Sequence, residues 1–309
     1  MTIKLAHTEQ VQDLFNKAAG LNNDQGNPRM KQLILRIIND AAKIIEDLEV
    51  TQDEFWKGVD YLNRMGSRSE AGLLVPGLGL EHYFDLLLDA QDEAAGHTGG
   101  TPRTIEGPLY VAGAPLSEGE ARMDDGTDPG KVMFVQGRIL DTDGAPVAGA
   151  VVDIWHANSN GTYSYFDSTQ SDYNLRRRIV TDAQGRYRVR SIVPSGYGCP
   201  PDGTTQEVLN QLGRHGQRPA HIHFFVSAKG HRHLTTQINL AGDKFLWDDF
   251  AYATRDGLVG DIRFIDDASA AKDRGIEGPF AELDFDFQLQ KAPAPDAEQR
   301  SNRPRVKQD

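Results

Sequence analysis

Two periodicities divide the chain. From Thr8 to about Ala95, apolar residues recur at helical spacing: Val11, Leu14, Phe15 and Ala18, then Met30, Leu33, Ile34, Ile37, Ile38, Ala41, Ile45 and Leu48, a pattern that predicts amphipathic helices. The punctuation agrees with it. Gly20 reads as a stop, Asn27-Pro28 as an N-cap and first helical position, and Thr51-Gln52-Asp53-Glu54 as a capping box ahead of Phe55 and Trp56. From Val132 onward the pattern changes to short alternating strands separated by turn residues. Val132 to Leu140, Ala150 to His156 and Tyr187 to Ile192 read as strands, with turns at Asp143-Gly144 and at Asp182 to Gly185.

These patterns predict an α+β chain, mainly β: a helical domain over residues 1–100 and an antiparallel β-sandwich over residues 101–309. The stretch from Gly96 to Met123, rich in Gly, Pro and Thr, reads as an ordered crossover, and the polar tail from Ala292 to Asp309 as a loose extension. Core packing is the expected use of the apolar stripe on the second helix. On the short first helix, a core contact and a dimer contact compete on equal terms.

The 309 residues, 39% of them hydrophobic and 25% charged, are ordinary for a globular protein large enough for two domains. A formal net charge of −12 argues against a nucleic-acid or anionic-membrane surface and favours a small neutral or weakly acidic ligand. Cys199 is the sole cysteine, which excludes an internal disulfide and a thiolate zinc site and predicts a cytoplasmic protein. No run approaches about 20 apolar residues, and Met1-Thr2-Ile3-Lys4 leads into polar sequence, so neither secretion nor membrane insertion is expected.

The chemistry starts at Pro219-Ala220-His221-Ile222-His223-Phe224-Phe225-Val226. In a strand, His221, His223 and Phe225 point one way while Ile222, Phe224 and Val226 point the other. Two imidazoles side by side make half a metal site, but alone they read as readily as polar residues on a solvated face. The sandwich region adds two tyrosines in glycine-rich settings, Gly161-Thr162-Tyr163-Ser164 and Ser195-Gly196-Tyr197-Gly198. Each alone is an ordinary half-buried aromatic. Together the four side chains contain no carboxylate and no thiolate, a poor match to magnesium, calcium or structural zinc. Phenolate is a hard anionic donor with an ordinary pKa near 10. A strongly Lewis-acidic ion must ionise it at neutral pH, and ferric iron meets that description. Such a centre retains room for a dianionic bidentate ligand such as a catecholate.

The run Val135-Gln136-Gly137-Arg138-Ile139, then Gly144, Pro146, Gly149, Val152-Asp153-Ile154-Trp155-His156-Ala157 and Gly161-Thr162-Tyr163, resembles the signature of the intradiol ring-cleavage dioxygenases. Pro194-Ser195-Gly196-Tyr197, Arg218-Pro219-Ala220-His221-Ile222-His223 and Gln237 follow in the family's order. The helical segment and Leu73-Leu74-Val75-Pro76-Gly77 resemble the branch that cleaves catechol rather than the protocatechuate branch. The resemblance implies one mononuclear non-haem Fe(III) per chain, bound by Tyr163, Tyr197, His221 and His223, that cleaves catechol with O2 to cis,cis-muconate in the β-ketoadipate route. By the same likeness Tyr197 leaves the metal and takes up a substrate proton, while Arg218 and Gln237 stabilise developing negative charge. Leu73, Pro76, Ile105, Pro108, Phe250 and Ala251 match positions lining the family's pocket. Their apolar character suits an unsubstituted ring, and the small Ala251 suits a methyl substituent. The family likeness further implies a homodimer through the N-terminal helices, with Val11, Leu14 and Phe15 in the contact and phospholipid at the interface.

Three details remain open on the sequence. Arg218, separated from the strand by Pro219, reads by itself as a surface arginine. His231 and His233 form a second H-x-H, assigned by the preceding Lys229-Gly230 to a turn and expected to be solvated or packed, and Cys199 is expected to be a buried, inert thiol. Two other classes compete: a transthyretin-like sandwich that only binds or scaffolds, and a hydrolase with zinc on His221 and His223, which would want a third histidine or a carboxylate.

Overall fold

The computed structural model describes residues 3–292 together with Ala294, Asn302, Arg303 and Arg305. The chain forms two compact units, Met1–Ser67 and Arg68–Asp309.

The first unit contains α1 (Glu9–Ala18), α2 (Pro28–Asp47) and α3 (Gln52–Ser67). Their ends follow the predicted punctuation. Asn27 Oδ1 accepts from the Arg29 and Met30 amides, Thr51 and Glu54 form the reciprocal capping box, and Gly20 takes a φ of 74° just past α1. No residue within these three helices is buried. Between α1 and α2, Gln12 donates to Asn39 Oδ1, and Glu46 Oε1 of α2 accepts the Leu5 and Ala6 amides of the segment ahead of α1. Core packing is not the use this chain makes of the α2 stripe, because Met30 and Ile37 stand 54% and 62% exposed.

The second unit opens with α4 (Ala71–Gly77) and α5 (Leu80–Ala94), so these two helices count with the sandwich in compactness although their sequence pattern groups them with the first three. The strands follow in order as β1 (Leu116–Glu118), β2 (Glu120–Arg122), β3 (Val132–Asp141), β4 (Val151–His156), β5 (Arg176–Val180), β6 (Arg186–Ile192) and β7 (Tyr197–Gly198). After α6 (Thr204–Gln211) come β8 (Gln217–Arg218), β9 (His221–Ser227), β10 (Leu234–Leu240), β11 (Val259–Gly260) and β12 (Arg263–Ile265). Next are α7 (Ala268–Asp273), β13 (Phe280–Asp284) and β14 (Phe287–Leu289).

One sheet runs β1-β5-β4-β9-β10-β11 and the other β12-β13-β3-β6-β2 with β14 beside β3. The long pairings β5-β4-β9-β10 and β3-β6 are antiparallel, while β1, β2, β11 and β14 join as short parallel edges and β13 pairs parallel with β3.

Alternation decides which face each side chain takes. Val152 and Ile154 of β4, Ile222, Phe224 and Val226 of β9, and Ile238 of β10 pack with Met133, Val135 and Val189 of the facing sheet in one buried apolar cluster. Burying side chains of this size stabilises the fold by roughly 1.5–3 kcal/mol each. The same alternation turns Asp153, Trp155, His221, His223, Phe225 and Gln237 to the outer face, where loops cover them. Of the tail expected to be loose, Arg303 pairs with Glu81 at 2.6 Å and Arg305 with Glu106 at 2.7 Å, so these two arginines are held. The remainder of the tail lies outside the described residues, apart from Ala292, Ala294 and Asn302. Among the described residues, no helix is long and apolar enough to cross a membrane.

Candidate metal centre

β9 lies inside its sheet, hydrogen-bonded on both sides, and brings His221 and His223 to the outer face with their Nε2 atoms 3.0 Å apart. Both rings are about 1% exposed. The tautomer of His221 follows from its backbone: Nδ1 donates to the Pro219 carbonyl at 2.7 Å, leaving the Nε2 lone pair directed at His223. Burial pushes both imidazoles well below their usual pKa, reinforced at His221 by Arg218 and at His223 first by His221. They are neutral donors at any ordinary pH. The register places Trp155 of β4 and Gln237 of β10 opposite His223. Trp155 stacks on it at 4.8 Å with planes 4° apart, which fixes the ring's orientation.

The tyrosines reach this face because glycine permits a close approach. A Cβ on Gly161, which has a φ of 82°, would sit 2.9 Å from Tyr197 Cβ, and one on Gly196 would sit 2.5 Å from the Arg218 carbonyl. Two loops and β8 can therefore crowd together, and the Tyr163 and Tyr197 rings meet edge to face at 5.5 Å. Tyr163 is buried and its hydroxyl has no hydrogen-bond partner among the described residues; Tyr197 is half-buried, its hydroxyl 3.5 Å from His221 Nε2. Burial, with Tyr197 beside it, pushes the Tyr163 phenol well above its ordinary pKa.

These observations test the fit of a metal ion. Two nitrogens each about 2.1 Å from one ion subtend roughly a right angle when they are 3.0 Å apart. An orphaned buried phenol needs a partner, and only a strong Lewis acid would ionise this one at neutral pH. The four side chains fit a ferric ion. Among the described residues, no group of three or more His, Cys, Asp or Glu could hold a metal, so the third ligand a zinc hydrolase would want is not at hand.

Arg218 is a buried residue of the centre rather than a surface arginine. The β7–β8 ladder pairs it with Tyr197 and turns it inward. Nη1 lies 3.0 Å from His221 Nε2 and 3.4 Å from the Tyr197 hydroxyl, and Nη2 donates to Gln237 Oε1 at 2.8 Å. Its partner is Asp249, a buried carboxylate that sequence reading missed, at 3.1 Å. Burial alone draws the guanidinium toward neutrality, but Asp249 and the two phenols outweigh it and hold the pKa above its ordinary range. Losing either partner would strand a buried charge at a cost of roughly 3–5 kcal/mol. The Gln237 amide is used at both ends, its Nε2 donating to Asn239 Oδ1 at 2.6 Å, so it acts here by holding Arg218.

Three of the six wall residues pack together directly. Ile105, Phe250 and Ala251 share a buried apolar cluster with Cys199 and Leu209. On α4, Gly77, next to Pro76, packs against the Phe250 ring, and Gly72, next to Leu73, packs against Pro108. Gly107, between Ile105 and Pro108, faces His223, which brings this wall against the centre. Leu73 itself is half-buried on α4. His231 and His233 lie away from the centre, the first bonded to the Lys229 carbonyl and the second packed near Phe225. Burial raises the Cys199 thiol to about 12, which leaves it inert.

Residues 105–291 match the family model described as dioxygenase, and residues 27–96 match that described as catechol dioxygenase N terminus. Catechol 1,2-dioxygenase of Acinetobacter baylyi is 59% identical over 292 residues, covering 94% of each chain. The crystal structure of catechol 1,2-dioxygenase from Pseudomonas arvilla C-1 superposes with a TM-score of 0.96 at 70% identity, covering 98% of each chain. That of chlorocatechol 1,2-dioxygenase from Pseudomonas putida superposes less closely, with a TM-score of 0.71 at 30% identity over 86% of this chain and all of that one. With both segments matched in order, and with likeness in sequence and structure extending over almost the whole length, the chain belongs to the intradiol ring-cleavage dioxygenases, a family that generally depends on non-haem iron.

Proposed function

We propose that this chain cleaves catechol between its two hydroxyl-bearing carbons with O2 to give cis,cis-muconate, at one Fe(III) held by Tyr163, Tyr197, His221 and His223. The observation that carries the reading is the convergence of two neutral imidazoles and two phenols on one outer sheet face, without a carboxylate among them. Bound ferric iron supplies the Lewis acidity that ionises phenols and the redox flexibility that opens a closed-shell aromatic to O2.

The protein residues do the rest. Tyr163, buried, would hold the ion as a phenolic donor, whereas Tyr197, half-buried, is the one placed to take a proton from a substrate hydroxyl. Arg218 Nη1 faces the same space and meets negative charge as it develops. Ile105, Pro108, Phe250 and Ala251 exclude water from the flat ring. The chain works in the cytoplasm as a homodimer through its N-terminal helices, with Val11, Leu14 and Phe15 in the contact and phospholipid lining it. The exposed apolar stripes of α1 and α2 support that assembly.

The iron-loaded protein is expected to be red from phenolate-to-metal charge transfer, with the band moving to longer wavelength on anaerobic addition of catechol. Aerobic turnover should yield cis,cis-muconate. A yellow semialdehyde product, or a Tyr163→Phe variant that retains iron and full colour, overturns the assignment. For the assembly, light scattering of a chain lacking residues before Asn27 should give the monomer mass, and lipid extraction of the native protein should release acyl lipid. A truncated chain that stays dimeric removes α1 from the interface.

A further inference from the structure

Asp249 lies in the segment between β10 and β11 and is 6% exposed. Its carboxylate makes four hydrogen bonds of two kinds. Arg218 donates from Nε to Oδ1 at 3.2 Å and from Nη2 to Oδ2 at 3.1 Å, a two-point fork. The backbone amides of Ala251 and Ala253 donate to the same two oxygens at 3.0 and 3.3 Å. All four lone-pair directions of the carboxylate are thereby used. Because the guanidinium is planar, fastening Nε and Nη2 fixes where the remaining nitrogen points. Nη1 is aimed at His221 Nε2 and the Tyr197 hydroxyl. The turn held by the other two bonds carries Phe250 and Ala251, and within it Tyr252 adopts a φ of 56°, a left-handed conformation that a bulky side chain rarely takes without support.

We propose that Asp249 is a positioning residue for the reaction: one carboxylate sets both the direction of the Arg218 guanidinium and the wall of Phe250 and Ala251 that receives the substrate ring. The inference rests on the catechol cleavage proposed above. It makes ring selectivity and charge stabilisation mechanically dependent on each other, since loosening Asp249 releases both. It also assigns Asp249 no contact with substrate or metal, so its effect must pass through Arg218 and the turn.

The test is Asp249→Asn in the iron-loaded, full-length protein, beside wild type. Iron content and the visible band should be unchanged, kcat/KM for catechol should fall by about 10²-fold, and the ratio of kcat/KM for catechol to that for 4-methylcatechol should change from the wild-type value. In an Arg218→Lys background, whose ammonium cannot take the fork, adding Asp249→Asn should cost less than about threefold further. A single variant within about threefold of wild type, loss of iron or colour, or losses that multiply in the double variant each overturn the inference. If Asp249→Asn does not accumulate as folded protein, Asp249→Glu keeps the charge but displaces the carboxylate by one methylene. The same fall in kcat/KM with retained colour is then expected, and wild-type activity overturns the inference. A wild type that is colourless and forms no muconate overturns the reaction itself and this inference with it, whereas an active wild type isolates the question to Asp249.

Discussion

The helical unit and the sandwich unit use the same apolar residues to opposite ends. In the sandwich, alternation is satisfied within the chain: Ile222, Phe224 and Ile238 are wholly buried between two sheets. In the helical unit the stripes are as regular, yet α1, α2 and α3 bury no residue, and Gln12 of α1 bonds Asn39 of α2. A hydrophobic pattern states that a face needs cover. Whether the same chain supplies that cover is a separate question: in the sandwich it does, and on these three helices it does not.

Paired core substitutions give the largest test of that contrast. Phe224→Ala should destabilise the protein by about 3–5 kcal/mol at every protein concentration, because its cavity is internal. If the proposed dimer covers the α2 stripe, Ile37→Ala should lower the midpoint in a concentration-dependent manner, because the cover it loses would then come from a second chain. Urea unfolding at two widely separated protein concentrations distinguishes the two, and an Ile37 effect independent of concentration would break the comparison.

A smaller effect, confined to the sandwich, comes from His156. It is buried, with Nδ1 donating to the Ala157 carbonyl and Nε2 accepting from the Ser191 hydroxyl, and burial lowers its pKa from 6.5 to about 4. Between those values the unfolded chain binds a proton that the folded chain refuses. The contribution to stability is therefore complete above pH 6.5 and is lost as pH falls toward 4, by an amount on the order of 3 kcal/mol. Unfolding midpoints at pH 7 and pH 4.5 should differ more for wild type than for His156→Gln, and equal differences would remove His156 as the cause.

The same contrast explains what could be read in advance. The face carrying His221 and His223 was legible because a period of two fixes it, and the glycine-rich settings of Tyr163 and Tyr197 singled those tyrosines out, although what the glycines crowd against appears only in the fold. Asp249 left no trace, since it lies in a loop with no periodicity and is joined to Arg218 only by folding. Arg218 entered the site only through the family resemblance, because Pro219 interrupts the strand pattern and hides the short ladder that turns the arginine inward. Trp155 was visible as part of a motif, but its stacking on His223 depends on the β4–β9 register. The α2 stripe was legible as a stripe and misassigned as core, because sequence shows polarity and not the identity of the covering surface.

One consequence of the β9 arrangement concerns folding fidelity. The proposed metal donors and the core residues alternate along a strand hydrogen-bonded on both sides, so a slip of one residue would drive two imidazoles between the sheets and turn Ile222 and Phe224 to the outer face. A slipped chain would therefore lose its core and its centre together. A register that misplaces the histidines forfeits the core, so a molecule that keeps its core also presents both imidazoles on the outer face.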